Sequence, residues 1–222
     1  MNAVFVDFEM NPISRNHKEE RRICKGEIIE IGAVKINESG EEIASYKEYV
    51  RPEYATEMNM TCQELTGITM DMLAGAPHFT QAFAHFLTWC RDTNENDYEM
   101  YAWSENDWRQ LTSEMRLKNI DMNAENVRWM LDHWQNFQQI YCNLLGFDKV
   151  ISLDKAVSTL GETFDGQMHD ALWDARNTSK LYVLSKKKDE FRNIMQPIID
   201  ATKPAEPLTF SLADAFRAAI RK

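Results

Sequence analysis

Residues 4–10, VFVDFEM, put Val4, Val6 and Phe8 on one face of an extended segment and Phe5, Asp7 and Glu9 on the other. The polar loop NPISRNHKEERRICKG follows, and then EIIEIGAVKIN, a β-branched run that ends at a turn around Ser39 and Gly40. IASYKEYVRP predicts a third strand, so the first fifty residues form an antiparallel meander. FTQAFAHFLTWC then repeats Phe79, Phe83, Phe86, Leu87 and Cys90 at helical spacing, and DYEMYAWS returns to a strand pattern. From NDWRQLTSEMRL through HWQNFQQIYCNLLG and LDKAVSTLG to DALWDARNTSKLYVLSKK the helical period dominates, with Gly146 and Gly161 as stops. The pattern predicts an α/β protein with a mixed sheet flanked by helices. KPAEP, residues 203–207, reads as a linker between a main domain, residues 1–200, and a tail, residues 201–222. In that tail Ser211 and Asp214 form a capping box, and Leu212, Phe216, Ala219 and Ile220 share a helical face. Such a helix packs on its own domain or on a second copy, or it docks on a partner.

Charge changes the picture at Asp7 and Glu9, which sit side by side on one face of a strand. If buried, each carboxylate loses water and repels the other, at several kcal/mol, roughly, unless a cation compensates. A divalent metal removes both penalties, and so does an edge strand with one solvated face. Two further segments bear on the choice. Asp107 follows a strand end near a helix start, and a glycine-containing turn presents His169 five residues before Asp174. Four carboxylates and an imidazole from three segments suit a two-metal phosphodiesterase, in which oxygen ligands hold Mg2+ or Mn2+ ions roughly 4 Å apart and histidine deprotonates water.

The 222 residues carry a formal net charge of −10, so a nucleic-acid partner must be held by local basic patches or metal ions rather than by a global positive field. The main patch is the 11–26 loop, with Arg15, His17, Lys18, Arg21, Arg22 and Lys25. Four separated cysteines form no CxxC pair and signal neither zinc nor disulfides. Without a basic, apolar leader or a membrane-length apolar run, the expected setting is cytoplasmic, with no membrane partner.

In order and spacing these segments resemble the DEDD-type 3′-to-5′ exonucleases of the subgroup with a catalytic histidine, over residues 4–180. The motifs are Asp7-Phe8-Glu9, then Trp103-Ser104-Glu105-Asn106-Asp107, then His169 through Asp174 with Ala175-Arg176-Asn177. EIIEIGAVKIN, YVRPE and TCQELTGIT at 61–69 resemble the branch with the enhanced-RNAi and sporulation-inhibitor-like exonucleases. The resemblance implies a ribonuclease H-like fold with a five-stranded mixed sheet. It implies that Asp7, Glu9, Asp107 and Asp174 bind two Mg2+ or Mn2+ ions and that His169 is the general base. The implied reaction releases nucleoside 5′-monophosphates from the single-stranded 3′ end of RNA, DNA or both, RNA being the more expected partner. Met10, Leu65 and Ile68 are then expected beside the last bases, with Trp103 and Arg176 completing the substrate contacts. A homodimer, or a partner held by the C-terminal helix, is also expected. The alternatives are a catalytically idle nucleic-acid-binding or regulatory module and a polymerase-associated proofreading subunit. Ser104, Asp170 and Trp173 depart from the branch, which carries glycine, arginine and an acidic residue at those places. Asp170 should weaken attraction for the phosphate backbone, with Arg176 or the 15–25 loop compensating.

Overall fold

A computed structural model describes residues 2–91, 97–161 and 163–202. The linker expected at 203–207 and the amphipathic segment after it lie outside the described residues. The elements run β1 (Asn2–Pro12), α1 (Glu20–Ile23), β2 (Gly26–Ile36), β3 (Glu42–Tyr49), α2 (Met60–Thr66), α3 (Met70–Leu73), α4 (Phe79–Cys90) and β4 (Tyr98–Ala102). They continue with α5 (Glu105–Leu117), α6 (Glu125–Asp132), β5 (Trp134–Asn136), α7 (Phe137–Leu145), α8 (Leu153–Thr159), α9 (Ala171–Lys186) and α10 (Lys188–Thr202).

The strands form one five-stranded sheet in the order β3-β2-β1-β4-β5. β1, β2 and β3 pair antiparallel, while β4 runs parallel to β1 and β5 parallel to β4. β1 is therefore the central strand, and the edge-strand explanation for Asp7 and Glu9 falls. Its alternation is used on both faces. Val4, Val6 and Phe8 pack with Phe79, Phe83 and Phe86 of α4, Leu111 and Met115 of α5, and Val127 and Met130 of α6. On the opposite face Phe5 stacks on Tyr101 and meets Phe137 of α7 and Tyr182 of α9 edge-on. Full burial of such a ring is worth roughly 2–3 kcal/mol, so each face is closed by its own apolar layer.

Two local departures from the sequence pattern have physical causes. Trp134–Asn136, expected within a helical run, is a short edge strand paired Met100↔Trp134 to Ala102↔Asn136. Three residues are too few to display a period of two, and backbone pairing with β4 decides their state. Asn136 then caps α7 by accepting from the Gln139 amide, and Gly146 ends that helix in the left-handed conformation. The 11–26 loop is also shorter than expected. β1 continues to Pro12, Glu20–Ile23 forms a helical turn, and Ile13 and Cys24 are buried with Leu117.

One close approach sets up the site. Gly32 of β2 lies opposite Asp7, and a Cβ built there would come within 2.1 Å of the backbone of Ala171 and Leu172. The N-terminus of α9 thus rests directly on the sheet, which only glycine permits. Among the described residues no helix is long and apolar enough to cross a membrane.

Candidate active site

β4 ends at Ala102 opposite Val6, so Asp7, Phe8 and Glu9 run on past it to where α5 and α9 begin. The start of α5 is fixed by Ser104, whose Oγ accepts from the Asn106 amide. One turn in, Asp107 is only 4% exposed; its carboxylate accepts from Ser104 Oγ at 3.2 Å and from the Phe8 amide that β4 leaves unpaired. α9 is capped by Asp170, whose Oδ1 accepts from the Leu172 and Trp173 amides. The Asp170 carbonyl accepts from the Asp174 amide, and the Asp174 carboxylate accepts from the His169 amide. His169 has φ +61°, a left-handed conformation that costs a side-chain-bearing residue roughly 1–3 kcal/mol. That turn brings a ring nitrogen of exposed His169 and carboxylate oxygens of Glu9 and Asp174 within 4.8 Å of one another.

The carboxylates perturb one another strongly. Burial, followed by repulsion from Asp107, Asp174, Glu9 and Glu30, pushes Asp7 well above the usual carboxylate range. Burial and then Asp174, Glu30 and Asp107 raise Glu9 to about 8. Asp174 rises to about 7, chiefly through burial and despite the His169 amide. Asp107 rises to about 6, again through burial, with its hydrogen bonds from Ser104 and Phe8 opposing. A single side chain shows what is missing: Asp174 Oδ1 is buried and has no hydrogen-bond partner among the described residues. Carboxylate oxygens with one adjacent imidazole, one of the oxygens orphaned, form a donor set that fits a hard divalent cation.

The other expected residues divide. Met10 is half-buried next to Glu9, and its carbonyl accepts from Cys62 Sγ at 3.1 Å, which fixes α2 beside the site. Leu65 on α2 is 48% exposed, and the same helix end is tied to the His169 loop through Gln167 Nε2 and the Thr66 carbonyl. Ile68, by contrast, is 1% exposed and packed on Ile29 and Leu73, so it supports the loop from beneath. Trp103 is buried against Phe137 and Tyr141, in the core. Arg176 is held by a carboxylate from outside the four expected metal ligands. It pairs with Glu42 through both Nε and Nη2 and lies over the Trp173 ring.

Arg176 interacts favourably with the charge of Asp170, but the side chain that pairs with Asp170 directly comes from β3. It is Lys47, whose Nζ is 2.5 Å from Asp170 Oδ2 and 2.6 Å from Glu30 Oε1. Glu30 was missed, because it joins the cluster through the strand register that sets it directly opposite Glu9. Lys47 carried no sequence signal.

A chain with this sheet, and with acidic side chains gathered at one end of its central strand, is a nuclease-type α/β domain. Residues 4–182 match the family described as Exonuclease, of the RNase T type, and the chain belongs to it. Within that family the comparisons bear out the DEDDh, enhanced-RNAi-like branch. A 3′-5′ exoribonuclease 1 of Mus musculus is 27% identical over 163 residues, covering 71% of this chain and 46% of that protein. The 3′-5′ exonuclease Snipper of Drosophila melanogaster is 26% identical over 203 residues, covering 81% and 67%. Among solved structures, the nuclease domain of 3′hExo, a DEDDh family member bound to rAMP, superposes with a TM-score of 0.68 at 25% identity, covering 85% of this chain and 94% of that one. The chain spans about half the length of the exoribonuclease relatives it matches.

Proposed function

We propose that the protein is a metal-dependent 3′-5′ exonuclease that hydrolyses the terminal phosphodiester of a single-stranded 3′ end, RNA in preference to DNA, and releases nucleoside 5′-monophosphates. The observation that carries this reading is the gathering of Asp7, Glu9, Asp107 and Asp174 into one mutually repelling cluster, with His169 within 4.8 Å of Glu9 and Asp174. A module that only bound phosphate would have no use for four clustered carboxylates, which repel the ligand unless cations intervene.

Asp7, Glu9, Asp107 and Asp174 would hold two Mg2+ or Mn2+ ions. When bound, such ions neutralise charge on the phosphate and lower the pKa of a water. His169, exposed at the rim of the cluster, takes the proton of the attacking water. The backbone amide of His169 orients Asp174, and Ser104 orients Asp107. Met10 and Leu65 offer apolar surface to an unstacked terminal base. The preference for RNA is supported by the exoribonuclease relatives and by the rAMP-bound DEDDh domain.

The test is incubation of the pure protein with Mn2+ and 5′-labelled RNA and DNA carrying 3′ overhangs, beside His169→Ala and Asp7→Ala. The expected result is a one-nucleotide ladder, stronger on RNA, that disappears in both variants. Metal-dependent binding with no ladder on any substrate would replace this reading with that of an idle binding module.

A further inference from the structure

Lys47 belongs to a cluster that the proposed reaction leaves unused. It stands on β3 opposite Gly32 of β2, which in turn stands opposite Asp7 of β1, so Lys47 rises from the same face of the sheet two strands away. Its Nζ reaches Glu30 Oε1 at 2.6 Å and Asp170 Oδ2 at 2.5 Å. Both partners border the four carboxylates. Glu30 is the register partner of Glu9, with a side chain only 2% exposed, and Asp170 follows His169 and receives the Asp174 amide on its carbonyl.

The charge balance gives this ammonium a definite task. Six carboxylates meet here: Asp7, Glu9, Asp107, Asp174, Glu30 and Asp170. Two divalent cations would balance four of them, leaving Glu30 and Asp170 with Lys47 between them. A nearly buried carboxylate without a counter-ion is strongly unfavourable, and a free one beside the cluster would compete for cations or repel phosphate.

We infer that Lys47 is a positioning residue of this centre: it clamps Glu30 to Asp170, withholds both carboxylates from the cation and phosphate positions, and fixes the turn that aims His169 at Glu9 and Asp174. The inference rests on the exonuclease reading.

The variants are Lys47→Met, which keeps the apolar stem, and the triple variant Lys47→Met/Glu30→Gln/Asp170→Asn, in which asparagine still caps α9 and neither former partner of Lys47 carries a charge. Lys47→Gln replaces the methionine variant if that one does not fold. Lys47→Met is expected to lose at least tenfold in kcat on a short RNA, with KM changed less than threefold. Titration calorimetry with Mn2+ alone is expected to show at least tenfold weaker binding. The triple variant is expected to recover both to within about threefold of wild type. Wild-type kcat and an unchanged Mn2+ isotherm in Lys47→Met would overturn the inference. So would losses that persist undiminished in the triple variant, since Lys47 would then be a brace for the fold alone. If the wild type itself makes no ladder, the exonuclease reading fails separately, and the Mn2+ isotherms still decide whether Lys47 governs the cluster.

Discussion

Replacing Glu9 with glutamine is expected to stabilise the metal-free protein while removing its response to cations. Glu9 is 9% exposed, and burial, followed by repulsion from Asp174, Glu30 and Asp107, lifts its carboxyl from 4.5 to about 8. Because the folded value is the higher one, the folded chain holds an extra proton between them, so stability is fullest below 4.5 and falls as pH rises towards 8. At pH 7, holding that proton amounts to a penalty of about 3 kcal/mol, at about 1.36 kcal/mol per pH unit above the unfolded value. Glutamine is nearly isosteric with the protonated acid and has no proton to hold. The variant should therefore gain about 3 kcal/mol at pH 7 and almost nothing at pH 4.5. For a chain of this size that is a rise of roughly 6–12 °C in Tm. Thermal melts of both proteins in chelator across pH 4.5–8 measure it. Excess Mn2+ should reverse the order at pH 7, because only the wild type gains from binding. A glutamine variant that melts below wild type in chelator at pH 7, or that gains equally at pH 4.5, would refute the account of the cluster.

Gly32→Ala should lower Tm by about 10 °C and abolish cleavage, because the new Cβ meets the backbone of Ala171 and Leu172 at 2.1 Å and must lift α9, with Asp174, off the sheet. Normal melting together with normal activity would show that α9 does not need that contact. Charge reversal at Arg21 and Arg22 should raise KM for a polynucleotide several-fold more than for a dinucleotide, and should flatten its salt dependence. Equal effects on the two substrates would remove the α1 segment from the binding surface.

Much of the site could be read from the chain because its chemistry is encoded by alternation and by short spacings. VFVDFEM already set Asp7 and Glu9 on the face opposite Val4, Val6 and Phe8, and the structure keeps that division, with an apolar layer on each side. The helix over 79–90 followed from the spacing of Phe79, Phe83, Phe86 and Leu87, all of which are buried. Side-chain direction was less legible. Trp103 and Ile68 adjoin site motifs and yet turn into the core, because a motif specifies a backbone path and the neighbouring elements decide which side chains along it are covered. The spacing that places Arg176 two residues after Asp174 cannot reveal that Glu42, 134 residues earlier in the chain, holds it.

The sequence by itself determined the strand alternation, the helical faces and the three acidic motifs, since these depend on residue periods of two and 3.6 and on local capping. Only the tertiary structure decided that β1 is central rather than an edge, that Trp134–Asn136 joins the sheet, and that Gly32 gives way to α9. It also decided that the cation neutralising Asp170 comes from Lys47, on a strand 123 residues distant in the chain. The reason is physical: backbone pairing and electrostatic pairing act through distance in space, and that distance is set by how the whole sheet and its helices pack, not by neighbours along the chain.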